Sequence, residues 1–421
     1  MSPGTFLVLE PESSGFDVVS AALALGVPVH VVTSRPPHAL PSALHGAGVT
    51  VTRVDTDPAS FVKAAVAFAD EHEVVGVAPG FDYAVPAAAA VAAVLGLPGI
   101  TPATADVLGD KYRMEQALAR AGVPAVKGVP FTLEETGADR LRSLADQVGF
   151  PAVLKPVNGC GSLRVRRVDD LAQLRRMLAE DAAVGPVEDM GRLVGEQLLL
   201  EPYLQGPEFS VEGYVTGAGP RVVAVTGKQL GAEPHFVEVG HVVEADLAPR
   251  DRAALESVTL AAVTALELTA GTFHLEARLT PAGPVVIEVG ARLGGDRIHR
   301  LVSEVYGFSL PEAMVLSLTG RHVAEPGPAT GVAGVRFFSV PQPARLMDPV
   351  GLYERLTLLP ACTEAAVTCA SGAVLTPATD FRQRFGHAVV TAADRAGLDA
   401  AFAAVDRLVA SATREPVPCV Y

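Results

Sequence analysis

Over its first hundred residues the chain alternates short apolar runs with amphipathic helices, and few folds accept that rhythm. "TFLVLE", "VPVHVVTS", "VTRVDT" and "EVVGVAPG" read as strands, while "GFDVVSAALALG" and "PASFVKAAVAFADEH" carry helical spacing between them. Parallel strands need long crossovers, and helices that provide them cover both faces of the sheet. The pattern predicts an open α/β unit with a parallel sheet over residues 1–100. "ESSGFD" follows the first strand at its C-terminal end, where such sheets bind ligands. It lacks GxGxxG, which argues against a dinucleotide. The alanine-rich "AVPAAAAVAAVLGLPGI" is too weakly apolar and too interrupted for a membrane span, and is read as a buried helix leading into a strand.

Beyond residue 100 the order changes. A helix, "DKYRMEQALARAG", precedes the strand "AVLKPV", the turn "NGCGS", a second strand "LRVRRV" and the helix "DDLAQLRRMLAED", giving a unit over 101–190. Strands "LVGEQLLLEPYL", "EFSVEGYVT" and "RVVAVTG", a helix from "PRDRAALESVTLAAVTALEL" and a hairpin, "TFHLEARLTPAGPVVIEVGAR", occupy 191–320. Residues 321–421 return to strands ("GVRFFSV", "HAVVTAA") and end in the helix "RAGLDAAFAAVDRLVASA". A length of 421 residues suits several packed units rather than one core.

Charge excludes some partners. A net charge of −14 disfavours a broad surface for nucleic acid or anionic membrane. The N-terminus has no basic region ahead of its apolar run, so no signal peptide is expected, and Cys160, Cys362, Cys369 and Cys419 lack CxxC spacing. Free thiols and a cytoplasmic location are the expectation.

The hairpin carries the clearest chemistry. With Pro281-Ala282-Gly283 as a three-residue loop, residue 280 faces 284 and Glu276 faces Glu288. Directly opposed like charges destabilise a sheet, so a cation belongs between them. It is either Mg²⁺, commonly held by one or two carboxylates plus phosphates, or an arginine such as Arg278 or Arg292. The period of two puts Gly290 and Arg292 on the same face. Lys155 ends an apolar strand just before Asn158-Gly159-Cys160-Gly161-Ser162. Such a turn can aim N–H groups at a phosphate, although hairpin turns are also often glycine-rich. A lysine buried there needs an anion. Asp110 is placed to cap a helix, and Lys111 in its first turn reads from the residues alone as a solvated surface lysine.

Taken in order, D-K at 110–111, K-P-x-x-G-x-G-S at 155–162, E-P-Y-L-x-G-x-E-x-S-V-E at 201–212 and H-L-E-x-R…I-E-x-G-x-R-L-G-G-D at 274–296 resemble the ATP-grasp carboxylate–amine ligases. "PHFVEVGH" and "EVGARLGGD" bring the resemblance nearest to the L-amino-acid ligases of the bacilysin-synthesis type. The resemblance implies a Rossmann-like N-terminal domain, an ATP-grasp fold of two α+β lobes clamping ATP, and a C-terminal α/β segment. It implies that Lys111 and Lys155 contact ATP phosphates beneath a lid containing Gly159, Gly161 and Ser162. Glu201, with the backbone through Tyr203 and Leu204, would hold adenine, and Glu208 the ribose. Glu276 and Glu288 would hold one or two Mg²⁺, with Mn²⁺ as a substitute. Arg292 would stabilise an acyl phosphate, and Glu238 or His241 would accept the amine proton. Asp82, Glu238, His241, Arg292, Gly294, Gly295 and Asp296 would line the substrate pocket.

Three positions depart from the family pattern. Gly290 stands where many members have a metal-binding asparagine, Asp296 where the bacilysin-type enzyme has a bulky aromatic, and Asp82 where glutamate is common. The expected reaction is ATP-dependent amide formation between an amino acid or related carboxylate and an amino acid or amine, in a protein that allows a homodimer. Bicarbonate, a purine precursor or a carrier-protein thiol, as in other branches, is the alternative.

Overall fold

A computed structural model describes residues 4–414 apart from 42, 43, 45, 47, 190 and 191, so Cys419 lies outside the described residues. The opening rhythm folds as a four-stranded parallel sheet, ordered Val49–Arg53, Val29–Thr33, Thr5–Leu9, Val74–Pro79. Its helices are Ser14–Ala24, Pro58–Ala69 and Val85–Leu95. The alanine-rich helix stops at left-handed Gly96 and leads into a second helix, Pro102–Leu108, rather than the expected strand. Thr101 is the reason: its hydroxyl accepts from the Thr104 N–H at 3.1 Å, and Pro102 supplies the preset φ of a first helical residue.

The next sheet is antiparallel, ordered Val129–Thr132, Gln197–Pro202, Ala152–Pro156, Arg166–Val168. Helices Ala138–Val148 and Leu171–Val184 contribute to the core it builds around Phe131, Leu144, Leu154, Leu174 and Leu198. "LRVRRV" contributes only its last three residues, because Gly161, Ser162 and Arg164 all take positive φ and prolong the turn. "LVGEQLLLEPYL" is likewise divided. Arg192–Val194 pairs with Val187–Asp189 in a separate hairpin, and Gly195 at φ 97° separates it from Gln197–Pro202.

Eight strands form the largest sheet, ordered Gly283–Gly290, Gly271–Thr280, Glu208–Thr216, Gly219–Leu230, Glu238–Val243, Val332–Phe337, Gly386–Ala392, Cys362–Val367. Three of these strands come from beyond residue 320, so the sheet runs across the division drawn there. Helices Ile298–Tyr306 and Leu310–Leu318 follow the 288–296 motif and share one core with Phe6, Val8 and Val31 of the parallel sheet. That shared core fixes the N-terminal unit against the large sheet. No single helix among the described residues is long and apolar enough to cross a membrane.

Candidate active site

A cavity of about 330 Å³ is lined from all four segments of the chain. At one wall, Lys155 pairs in the ladder with Leu199, so Glu201, two residues along that strand, shares its face. Lys155 Nζ lies 2.5 Å from Glu201 Oε1, and both side chains are buried. The anion that the buried lysine requires is therefore Glu201. Glu115 stands behind them, 1% exposed, with Oε2 accepting from the Gly128 N–H at 2.7 Å. Burial, and next the Glu201 charge, push its pKa up to about 9, so it carries a proton at neutral pH.

Lys111 corrects the surface reading taken from the residues alone: it is 7% exposed. Asp110 caps its helix by accepting from the Arg113 N–H at 2.9 Å, while the Lys111 N–H donates to the Val157 carbonyl at 3.1 Å. The helix start is thus pinned to the end of the Lys155 strand, and the side chain turns inward. Its Nζ donates to the Gly159 carbonyl at 2.5 Å and to Glu288 Oε1 at 3.1 Å.

Glu276 does face Glu288, by a different route from the one expected. The loop has two residues, so Thr280 pairs with Gly283 and Ala277 with Val286. A bulge then steps over Ile287 and restores the carboxylate pair. Across the sheet the partners run Glu288, Glu276, Ser210, Thr226, and Lys228 lies two residues further on that face. Lys228, its side chain 2% exposed, contacts Glu276 and lies 3.1 Å from Glu208 and 3.4 Å from Glu238. Burial alone would discharge it, but the three carboxylates hold it charged well above the ordinary lysine range. His274 sits between Glu212 at 2.9 Å and Glu276 at 3.2 Å; burial lowers its pKa, yet these bonds lift it to about 9.

The donor set can be tested against Mg²⁺. Among the described residues no group of three or more His, Cys, Asp or Glu side chains is placed to cage a metal. Glu276 and Glu288 both line the cavity, with Gly290 beside them offering no side-chain ligand. Two carboxylates facing a cavity fit Mg²⁺ that completes its octahedron with phosphate and water. They do not fit a metal held by protein alone.

At the opposite end, Arg292 Nε donates to Asp82 Oδ1 at 2.5 Å and its guanidinium to the Leu293 carbonyl at 2.7 Å. Burial opposes its charge, and Asp82 more than compensates. His241 Nε2 lies 3.3 Å from Asp296, which Arg384 grips with two hydrogen bonds of 2.6 and 2.7 Å. Ser162 donates to the Phe236 carbonyl at 3.0 Å and lies 3.3 Å from Glu238. Gly161 is required twice, by its φ of 61° and because a Cβ there would sit 2.6 Å from the Phe381 ring. Burial pushes the Cys160 thiol up to about 12, which makes it an inert neighbour of Tyr83 rather than a nucleophile.

Residues 19–99 match the ATP-grasp N-terminal domain, 148–300 the ATP-grasp domain, and 336–414 the L-amino acid ligase C-terminal domain 2. The chain carries an ATP-grasp domain preceded by an ATP-grasp N-terminal domain. It is 28% identical over 303 residues to an uncharacterized protein of Sinorhizobium fredii, covering 72% of this chain and 61% of that one. With human carnosine synthase 1 it shares 28% over 241 residues, 55% of this chain and 29% of that one. The chain thus spans less than two thirds of the length of either relative. The fold is similar to the crystal structure of an L-amino acid ligase from Bacillus licheniformis, with a TM-score of 0.78 at 21% identity over 99% of this chain and 100% of that one.

Most of the residues expected at an ATP-grasp site line this one cavity, including Lys111, Lys155, Gly159, Gly161, Ser162, Glu201, Leu204, Glu208, Glu238, His241, Glu276, Glu288, Arg292, Gly295, Asp296 and Asp82. Two do not. The Tyr203 hydroxyl donates to Glu233 at 2.7 Å beneath Arg167, so its ring is not part of the lining, and the adenine role expected of it is one for its backbone. Gly294 packs against His274, where a Cβ would lie 3.0 Å from Nδ1. Lys228, His274, Phe381 and Arg384 were missed as parts of the site. Lys228 had a signal, being one of few lysines and lying within an apolar strand. Arg384 had none, because its partner lies 88 positions away.

Proposed function

We propose that the protein is an ATP-dependent ligase that joins the carboxylate of one amino acid to the amine of a second amino acid or related amine, releasing ADP and phosphate. The observation that carries this reading is the convergence of Lys111, Lys155, Glu276, Glu288 and Arg292 on one cavity. In the reaction a substrate carboxylate oxygen attacks the γ-phosphorus of ATP and the bond to the β-phosphate oxygen breaks, leaving ADP and an acyl phosphate. The amine nitrogen then attacks the acyl carbon, phosphate departs, and the amine gives up a proton to complete the amide.

Lys111 and Lys155 lie where they can exchange Glu288 and Glu201 for phosphate oxygens, and the freed Glu201 is then available to the adenine amino group. Glu208 takes the ribose hydroxyls. Mg²⁺, when bound by Glu276 and Glu288, neutralises the charge that spreads over the transferring phosphoryl group. Arg292 supports the negative charge on the acyl phosphate, and its separation from Asp82 frees that carboxylate for the incoming ammonium. Glu238 and His241 are the nearby proton acceptors. The glycine turn at 159–162, covered by Phe381, excludes water that would hydrolyse the acyl phosphate.

The test is phosphate release by purified protein given ATP, Mg²⁺ and pairs of amino acids, with product mass measured alongside. Release that depends on particular pairs, with an amide product, is expected. Release that no carboxylate accelerates, or a product carrying carbon dioxide or a thioester, overturns the reading.

A further inference from the structure

The far end of the cavity is closed by two charged groups that meet only in the folded chain. Arg384 belongs to the segment after the short helical turn Phe381–Gln383, and its two terminal nitrogens reach both oxygens of Asp296 at 2.7 and 2.6 Å. Its guanidinium lies 3.9 Å from the Phe337 ring centroid, so it is held by stacking as well as by the carboxylate. Asp296 is presented by a left-handed step, with φ of 55° at Asp296 and 64° at Arg297, a conformation that non-glycine residues adopt at a cost. Both side chains still face the cavity, at 25% and 11% exposure. Asp296 also lies 3.3 Å from His241 Nε2. Of the other charges nearby, Glu238 lies 3.4 Å from Lys228, which it shares with Glu208 and Glu276, while Arg292 pairs with Asp82 and Arg297 with Glu364.

We propose that Asp296 and Arg384 form a charge-neutral selectivity pair, so that the pocket takes an acyl donor with an uncharged side chain and rejects acidic and basic ones. The inference rests on the ligase reading and adds a substrate class to it. Asp296 follows Arg292 on the same segment, which places the pair beside the carboxylate to be activated. An acidic side chain arriving there is drawn to Arg384 and repelled by Asp296; a basic one meets the reverse. Neither recovers the hydration it loses, which is how a site rejects a ligand without a steric block. Removal of one partner leaves the other facing the cavity without its fork-to-carboxylate match, and a substrate of opposite sign then takes that place.

The experiment compares the full chain with Asp296→Asn, Arg384→Gln and the double variant. Leucine, glutamate and lysine binding is measured by calorimetry with Mg-ADP present, and amino-acid-dependent ADP release from Mg-ATP is followed in parallel. Asp296→Asn is expected to improve glutamate relative to leucine by at least about tenfold, and Arg384→Gln to improve lysine relative to leucine by a similar factor. The double variant returns to a preference for leucine. Equal changes for all three amino acids would mean that the pair only holds the C-terminal segment in place, and would overturn the proposal. Absence of amino-acid binding in all four proteins would overturn it as well. Binding that shifts as expected without any ADP release would instead sink the ligase reading and leave the pocket's charge preference standing.

Discussion

Lys155 meets Glu201 across adjacent strands of one small sheet, whereas Arg292 finds Asp82 210 positions away and Asp296 finds Arg384 88 positions away. Both ends of the cavity bury charge, and both match it. At the Lys155 end, proposed above for the nucleotide, the match is made inside a single supersecondary unit, so it forms whenever that sheet forms. At the Arg292 end, proposed above for the substrates, it requires the N-terminal sheet, the large sheet and the 381–384 turn to be docked together. The contrast suits the proposed chemistry, in which one end serves ATP and the other the two amino acids.

The contrast can be broken in order of effect. Lys155→Met leaves Glu201 buried without a cation and should lower unfolding free energy by about 3–5 kcal/mol. Lys155→Met with Glu201→Leu should recover most of that stability while phosphate release stays absent, as judged by urea denaturation and activity together. If the double variant is as unstable as the single, the nucleotide-end pair is not self-contained. Arg292→Lys keeps a charge beside Asp82 but loses the fork, and turnover should fall on the order of 10²–10³-fold with a smaller change in the KM for ATP. A selective rise in the KM for ATP would move Arg292 to the nucleotide end.

Glu115 gives a smaller, pH-dependent effect. Its pKa is raised in the folded protein, from 4.5 to about 9, so the stability associated with its bound proton is fully present below 4.5 and is lost as pH rises through about 9. Glu115→Gln replaces the protonated acid, so the variant should gain on the wild type as pH rises from 5 to 9. Parallel denaturation midpoints across that range would contradict the assignment. Tyr203→Phe removes an exposed bond to Glu233 and should change stability by no more than about 0.5 kcal/mol, with little effect on turnover.

How much could be read in advance follows the same division. The Glu276–Glu288 pair was legible because strand period and hairpin closure are local, although a shorter loop and a bulge offset one another to preserve it. Lys111 was misread from its residues because helix-end electrostatics describe an isolated helix, and here the backbone bond to Val157 pins the helix start while the Gly159 carbonyl and Glu288 hold the side chain inside. Thr101-Pro102 carried a helix-start signal that the apolar run before it obscured. Lys228 stood in plain view as a lysine in an apolar strand, but its three carboxylate partners come from other strands.

Period, capping residues and glycine positions were enough to specify the alternating α/β opening and the glycine turn after Lys155, while the carboxylate pair of the hairpin was anticipated from a register that the two-residue loop and the bulge replaced. Each depends on interactions within a few residues or across one tight turn. The docking of the N-terminal sheet through the core around Leu301 and Met314 was decided by packing over the whole chain, as were the Asp82–Arg292 contact and the neutralisation of Asp296 by Arg384. Asp296 shows the difference most sharply. In the sequence it is an unexplained negative charge at a substrate position, and in the folded protein the partner that sets its effect arrives from another part of the chain, because burial permits no charge to remain unmatched.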